Sequence, residues 1–326
     1  MTERLAPVYK TGKLNAPREP GDCTVPLGAL GMHTMRRLML IVTILFAPIA
    51  VFAAMVAVDH AFGGPGRGYS YVVKVDLPPV SGVAGLPQIA GPMDASRPLV
   101  VVIDAGHGGK DPGAGTGQIK EKAVTLALAL ALRDELVKQG GVRVALTRSD
   151  DTYLVLDERP AIARRLGADL FISIHADSTD GNGTATGATV YTLSAKGSSQ
   201  TAERIAAREN AADQINGVRI KDQSDTVNAI LVDLSQRESQ GAAQQFAALI
   251  LREGRRVIPF KDAAVQSAAF VVLKAPDVPS VLFETGYINN PSDLERLTSS
   301  AGKQGFGAAL ASAIKVYFAR SSVQRK

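Results

Sequence analysis

An α/β fold, built on a single twisted mixed sheet with helices on both faces, is the architecture the sequence predicts, and two observations carry that prediction. From about residue 97 onward, short apolar runs rich in Val, Ile, Leu and Phe alternate with longer segments of helical period. The chain has 326 residues, 46% of them hydrophobic, which is enough for a sizeable core and speaks against overall disorder.

In order, PLVVVIDAG reads as a buried strand, EKAVTLALALALRDELVKQ as a helix and VRVALTR as a strand. ERPAIARRLG follows as a helix, then DLFISIHAD and ATVYTL as strands. A mostly helical stretch runs from Ser198 to about Arg256, with ERIAARENAADQI and DTVNAILVDLSQRESQGAAQQFAALILREG as its recognisable pieces; it is too long for an ordinary crossover. AAFVVLK and VPSVLFETGYI are expected as strands, and GKQGFGAALASAIKVYFAR as a C-terminal helix. The Ala/Leu stripe from Val124 to Leu136 should face the core. Asn289, Asn290 and Pro291 should turn the chain into a further helix capped by Ser292.

Ahead of this domain the composition changes twice. Residues 1–35 are a polar N-terminal extension, with Met35 standing just before Arg36 and Arg37 where a start codon would belong, so translation from Met1 and from Met35 both stay open. Residues 36–58 carry that Arg pair and then the uncharged run Leu38 to Val58, the pattern of a membrane-targeting segment. Val51, Phe52 and Ala53 supply a small-x-small cleavage signal, so a signal peptide and a retained anchor both stay open. Either one implies export, to the periplasm, with the membrane engaged through this segment alone. Residues 59–96 are rich in Gly and Pro and read as a linker, leaving 97–322 as the catalytic domain.

Composition restricts the chemistry. One cysteine, Cys23, excludes an intramolecular disulfide framework and a Cys-rich zinc module. The formal charge of +5 comes without a dense basic run, and a nucleic-acid partner is not expected. Trp is absent, which disfavours an appended sugar-stacking module. Of four histidines, His33 and His60 lie in or beside the targeting segment, which leaves His107 and His175 for the domain.

In open α/β sheets the ligand crevice lies beyond the carboxyl ends of the strands. His107 follows VVVIDAG, His175 ends FISI, Glu284 ends SVLF, and Glu121 opens the helix after the first loop. Two imidazoles and a carboxylate leave a tetrahedral zinc with one open position, the pattern of a catalytic site. Glu284 is suited to be the acid/base that takes a proton from water and returns it to a departing amine. Asp104 and Asp177, beside the histidines, are candidates to orient an imidazole.

DAGHGGKDPGAGTG, the EK pair at Glu121, SIHAD and SVLFETGYINNPSD resemble the signature segments of zinc-dependent N-acetylmuramoyl-L-alanine amidases, from about Pro98 to the C-terminus. The resemblance implies a zinc hydrolase-like fold and cleavage of the amide between N-acetylmuramic acid and the L-alanine of the peptidoglycan stem. It also implies one Zn2+ held by His107, Glu121 and His175, with Glu284 catalytic. Ala105 departs from the family's more common proline, and residues 62–96 are too few for the extra wall-targeting domain of many relatives.

The insertion at about 198–240 is similar to the regulatory segment of division-associated members, in which a helix occludes the metal until an activator protein withdraws it. That similarity implies a role in septal wall splitting, a protein activator, and autoinhibition in which Glu209 occupies the fourth zinc position; Asp213, one turn further, would share its face. A non-catalytic wall-binding scaffold and a zinc metallopeptidase acting on stem peptides are the rival readings. Retention of every reactive group disfavours the first, and absence of a His-Glu-x-x-His helix disfavours the second.

Overall fold

The protein is seen in a computed structural model that describes residues 28–62, 85–92, 99–116, 119–179, 184–215 and 229–324. Two compact units divide the chain, 1–74 and 75–326. In the first, helix α1 (Gly28–Phe62) includes Met35–Met55, 21 residues with a mean hydropathy of 2.6, long and apolar enough to cross a membrane. Its large side chains are exposed, Phe52 and Ile44 at 70% each, which fits a signal peptide or anchor and not a core helix. Cys23, the polar residues up to 27 and most of the linker, 63–84, lie outside the described residues.

In the second unit a six-stranded sheet runs in the order β4-β1-β5-β8-β6-β7. Its strands are β1 (Val100–Ala105), β4 (Arg143–Leu146), β5 (Leu170–Asp177), β6 (Ala188–Leu193), β7 (Phe260–Ala268) and β8 (Ser280–Tyr287); β2 (Gly115–Thr116) and β3 (Ile119–Lys120) form a small separate ribbon. β4, β1, β5 and β8 are mutually parallel, whereas β6 is antiparallel to β8 and β7 is parallel to β6. One edge of the sheet therefore gathers the C-terminal ends of β1, β5 and β8 and the N-terminal ends of β6 and β7.

Two apolar layers flank this mixed sheet, as the alternating pattern predicts. Alternate positions along each strand, such as Val101, Ile103, Ile172 and Val281, face α2 (Glu121–Gln139), α6 (Ala229–Gly254) and α8 (Ser300–Gln324), which contribute Leu128, Leu132, Phe246, Ile250, Leu310 and Ile314. Val102, Phe171, Tyr191 and Leu282 face the other side, where α3 (Glu158–Arg165), α4 (Gln200–Asn210) and a 3-10 turn at Val271–Leu273 pack. The expected stripe on α2 buries Val124, Leu128, Leu132 and Leu136 at helical spacing.

Four local expectations are corrected. AAFVVLK is not a strand: only Ala268 belongs to β7, and Val271–Leu273 coil into the 3-10 turn that drops its apolar side chains into the second layer. The true strand, FKDAAVQSA, is an outer strand that buries only Ala264 and Ala268, so it lacks the apolar run that marks its neighbours. Helix α7 (Pro291–Thr298) is capped by Asn290, whose side chain accepts from the N–H groups of Ser292 and Asp293, not by Ser292. ERIAARENAADQI breaks after Asn210, and α5 (Ala212–Ile215) is a separate turn. Part of the expected linker is also ordered, for Ala90 exchanges two backbone hydrogen bonds of 2.8 Å with Val144 along the outer edge of β4. Within the insertion, residues 216–228 lie outside the described residues.

Beneath the site, Arg159 Nη1 donates to Asp104 Oδ1 at 2.9 Å with both side chains buried, and Asp104 also accepts from Thr147 and Ser173 at 2.6 Å. Burial pushes the Asp104 carboxyl up, but the Arg159 guanidinium and the two hydroxyls more than offset this and hold it below its ordinary value. A carboxyl depressed on folding stabilises the protein above its unfolded pKa, about 3.9, and that stability is lost as pH falls through the folded value. Asp104→Asn leaves Arg159 buried without a counter-charge and should destabilise the domain by about 3–5 kcal/mol. Thermal unfolding followed by circular dichroism should show Tm lowered by on the order of 10 °C at pH 7, with the gap to wild type closing below about pH 4.

Candidate metal centre

The shared sheet edge brings His107, Glu121, His175 and Glu284 together. His107 sits in the loop after β1 with φ of 60°, the left-handed region that a non-glycine residue rarely adopts. Several groups hold it there. Arg159 Nη2 donates to its carbonyl at 3.0 Å, Arg148 Nη2 and Thr125 Oγ1 donate to the Gly106 carbonyl at 2.7 and 2.8 Å, and Arg148 Nε reaches the Ala105 carbonyl at 2.8 Å.

Two glycines make room for the cluster. A Cβ on Gly106 would stand 2.5 Å from the His175 ring, and one on Gly113, where φ is +64°, would meet Glu121 Oε2 and the His107 ring at 2.6 Å.

Glu121, the first residue of α2, is buried and links three elements. Its Oε1 accepts from the Ala176 N–H at 2.9 Å and its Oε2 from the Ala114 N–H at 2.8 Å. The same oxygens lie 3.1 Å from His175 Nδ1 and 3.0 Å from His107 Nε2. Glu209 arrives from above on α4, where Ala202, Ile205, Ala206 and Glu209 form one buried face at helical spacing. Its Oε2 is 3.4 Å from His107 Nε2 and 3.2 Å from His175 Nδ1. Glu284 pairs with His175 in the β5–β8 register, buried, and neither of its oxygens has a hydrogen-bond partner among the described residues.

The donor set fits a divalent cation. One ligand atom from each of His107, His175 and Glu209 lies within 4.8 Å of the others, and His107 Nε2 is buried with no aligned hydrogen-bond partner among the described residues. Neutral imidazoles with a carboxylate are a common donor combination for such an ion. On the far side of the ring, Asp111 Oδ2 lies 2.8 Å from His107 Nδ1 and fixes its orientation.

Comparisons with known proteins identify the family. The family model for N-acetylmuramoyl-L-alanine amidase matches residues 101–316. The chain belongs to that amidase family. The amidase is 41% identical over 221 residues to N-acetylmuramoyl-L-alanine amidase AmiA of Escherichia coli, covering 67% of this chain and 76% of that protein. It is 34% identical over 241 residues to AmiC of Neisseria meningitidis, covering 73% of this chain and 57% of that protein, so it spans little more than half of that longer relative. An N-acetylmuramoyl-L-alanine amidase structure from Clostridium difficile aligns with a TM-score of 0.50 at 23% identity, over 68% of this chain and 98% of that one, and has the same fold.

The charges in the amidase's site are interdependent. Burial acts to lower the His107 imidazole, but Glu121 and Asp111 outweigh it and push it up to about 9. For His175 burial again acts downward, and Glu209 with Glu121 carries it well above its ordinary value. Burial alone would raise Glu121 and Glu209; the facing rings hold both below the usual carboxylate range. For Glu284 the opposing pull of the His175 ring is outweighed, and burial followed by the nearby Asp177 charge raises it well above the ordinary range.

Several expectations about neighbours are corrected. Asp104 does not touch an imidazole, being engaged by Arg159, Thr147 and Ser173 on the α3 side of the sheet. Asp177 does not either: it pairs with Arg208 at 2.6 Å. Asp213 is turned away from the rings by the break after Asn210, and accepts instead from the Tyr153 hydroxyl at 2.9 Å and the Leu156 N–H at 3.0 Å. Sequence reasoning missed Asp111, Arg148, Arg159 and Arg208. Only Asp111, four residues past His107 in the same glycine-rich loop, gave a usable signal.

Replacing both His107 and His175 with Ala should reduce bound metal, measured by elemental analysis of folded protein, to background. Asp111→Ala should instead weaken metal affinity by roughly 10–100-fold in a chelator competition, because the ring loses its orienting partner and not its donor atom.

Proposed function

We propose that this peptidoglycan amidase is zinc-dependent, that it hydrolyses the amide between N-acetylmuramic acid and L-alanine, and that its resting state is autoinhibited. The observation that carries the reading is the convergence of His107 Nε2, His175 Nδ1 and the Glu121 and Glu209 carboxylates in one buried cluster beside Glu284. His107, Glu121 and His175 would hold the ion. When bound, zinc supplies Lewis acidity, polarising the scissile carbonyl and making water a competent nucleophile near neutral pH.

Glu284 does the proton work. Neither oxygen of its buried carboxyl has a hydrogen-bond partner among the described residues, and its raised pKa suits a residue that takes a proton from water and delivers it to the departing amine of L-alanine. Asp111 fixes the His107 ring, and Thr285 Oγ1, donating 2.8 Å to the His175 carbonyl, steadies the strand end that carries the other ring.

Glu209 is the inhibitory ligand in this reading, filling the position a substrate carbonyl needs. α4 is held in place at both ends. Ser199 caps its start, Arg208 grips Asp177, and at its end the Asn210 side chain donates to the Ala269 carbonyl and accepts from the Val271 N–H, both at 2.8 Å. An activator protein that withdraws this helix would couple hydrolysis to septal wall splitting. The apolar α1 supports export to the periplasm, as a cleaved peptide or an anchor.

Purified sacculi test the reaction. Digestion should release stem peptides bearing a free L-alanine amino group, chelation should abolish it, and added zinc should restore it. Glu284→Gln should lower kcat by about 10²–10⁴-fold with metal content unchanged. New termini between stem residues would mark a peptidase, and binding without cleavage by both proteins would mark a scaffold.

Glu209→Ala should raise activator-free turnover on the same sacculi at least about tenfold, the effect of removing a carboxylate that competes for the open position. Unchanged turnover would remove Glu209 from the inhibitory role.

A further inference from the structure

Beside Glu284 the same edge carries a cation that the reaction described above does not use. β6 and β7 begin where β8 ends, and the register pairs Thr189 with Glu284 and Ala188 with Phe260. Phe260 packs on the α2, α6 and α8 side, stacked on Phe283 with ring centroids 6.1 Å apart. Its neighbour Lys261 therefore points to the other face of the sheet, the one that carries His175 and Glu284.

Lys261 is half-buried, and its Nζ contacts the Tyr287 hydroxyl and lies 4.4 Å from the centre of that ring. No carboxylate pairs with it among the described residues, for Asp177 is engaged by Arg208 at 2.6 Å and Asp293 by Arg296 at 2.9 Å. Burial lowers its pKa, and the fields of Asp177 and Glu284 act against that fall. A positioned ammonium without a paired carboxylate among the described residues, on the sheet edge that carries Glu284, is suited to an anion supplied by substrate.

Resting on the amidase reading, the substrate names that anion. The sugar, the lactyl amide and L-alanine are uncharged around the scissile bond, and the first charge along the stem is the α-carboxylate of the residue after L-alanine. It stands about two residues, roughly 7 Å, from the bond that breaks. The start of β7 is two strand spacings, about 10 Å, from β8. A lysine side chain covers the difference.

We propose that Lys261, steadied by Tyr287, forms a subsite for the α-carboxylate of the second stem residue, so that the amidase distinguishes a stem carrying glutamate there from one carrying its amide. This subsite is separate from the groups that hold the ion and move the proton.

Calorimetric titration tests it on metal-free protein with Glu209→Ala to clear the cleft, so that binding is read without turnover. The two ligands are N-acetylmuramoyl-L-alanyl-D-isoglutamate and its D-isoglutamine counterpart. The carboxylate form should bind more tightly. K261M should weaken that binding about tenfold while changing the amide form less than about twofold, and K261R should retain most of the preference. Equal binding of both ligands before the lysine is changed, or a preference that K261M leaves intact, overturns the subsite. The same zinc-loaded Glu209→Ala protein is then given both ligands: cleavage of either upholds the amidase reading whatever the titration shows, and cleavage of neither overturns that reading and the subsite with it. Far-UV circular dichroism of K261M and K261R, matching the parent, ties the loss to charge and not to unfolding.

Discussion

Everything at the active edge depends on burying two imidazoles and several carboxylates in one place without leaving any charge uncompensated. A lone ionised group removed from water would shift its pKa until it was neutral. Here the rings of His107 and His175 alternate with the carboxylates of Glu121 and Glu209, and each side's charge sustains the other's. Such a set of groups can exchange protons for a metal cation with little change in the surrounding protein, which is why metal binding and proton release are linked at sites of this kind.

The fold supplies the positions that this balance requires. The parallel strands β1, β5 and β8 end at one level, so side chains distant in sequence arrive together. Glu121 adds a covalent-like constraint through two backbone N–H groups, one from the loop after β1 and one from β5. Arg148 and Arg159 clasp the carbonyls of Ala105, Gly106 and His107 along the strained loop, with Thr125 sharing the Gly106 carbonyl, so these buried acceptors are supplied with donors. Two buried guanidiniums thus stabilise the geometry of a ring they never touch.

Much of this was legible in the residues, and what was not has a physical cause. Continuous apolar strands and the long stripe of α2 announce themselves because both faces, or one whole face, are buried. β7 escaped because it lies at the sheet's edge and buries only Ala264 and Ala268, leaving no run to read, while Val271–Leu273 read as a strand because a 3-10 turn that fills a core needs the same residue types. At the site, residue type and strand-end position were enough to single out His107, Glu121, His175 and Glu284. The identity of their neighbours was not, since Asp104, Asp111 and Asp177 differ only in which cation or ring the folded chain brings opposite them. Asp177 meets Arg208 across more than thirty positions of sequence, and no local pattern encodes that meeting.

Adjacency of Arg208 and Glu209 on α4 gives the helix a further property. Arg208 Nη1 pairs with Asp177 while Nη2 pairs with Glu209 at 3.0 Å, so one guanidinium bridges the sheet and the helix's own carboxylate. Any movement of α4 removes a cation and an anion together, which leaves the net charge over the sheet edge unchanged and keeps the electrostatic barrier to opening lower than removal of Glu209 alone would impose. The local distribution nonetheless changes, since Asp177 loses its counter-ion and remains beside Glu284. Lys261 is on β7 and not on α4, so withdrawal of that helix would leave it as a positive group near that pair of carboxyls. If Glu209 inhibits as proposed, the edge is neutralised from within while α4 is in place, and withdrawal of the helix would leave Lys261 as a cation available to an anionic stem peptide.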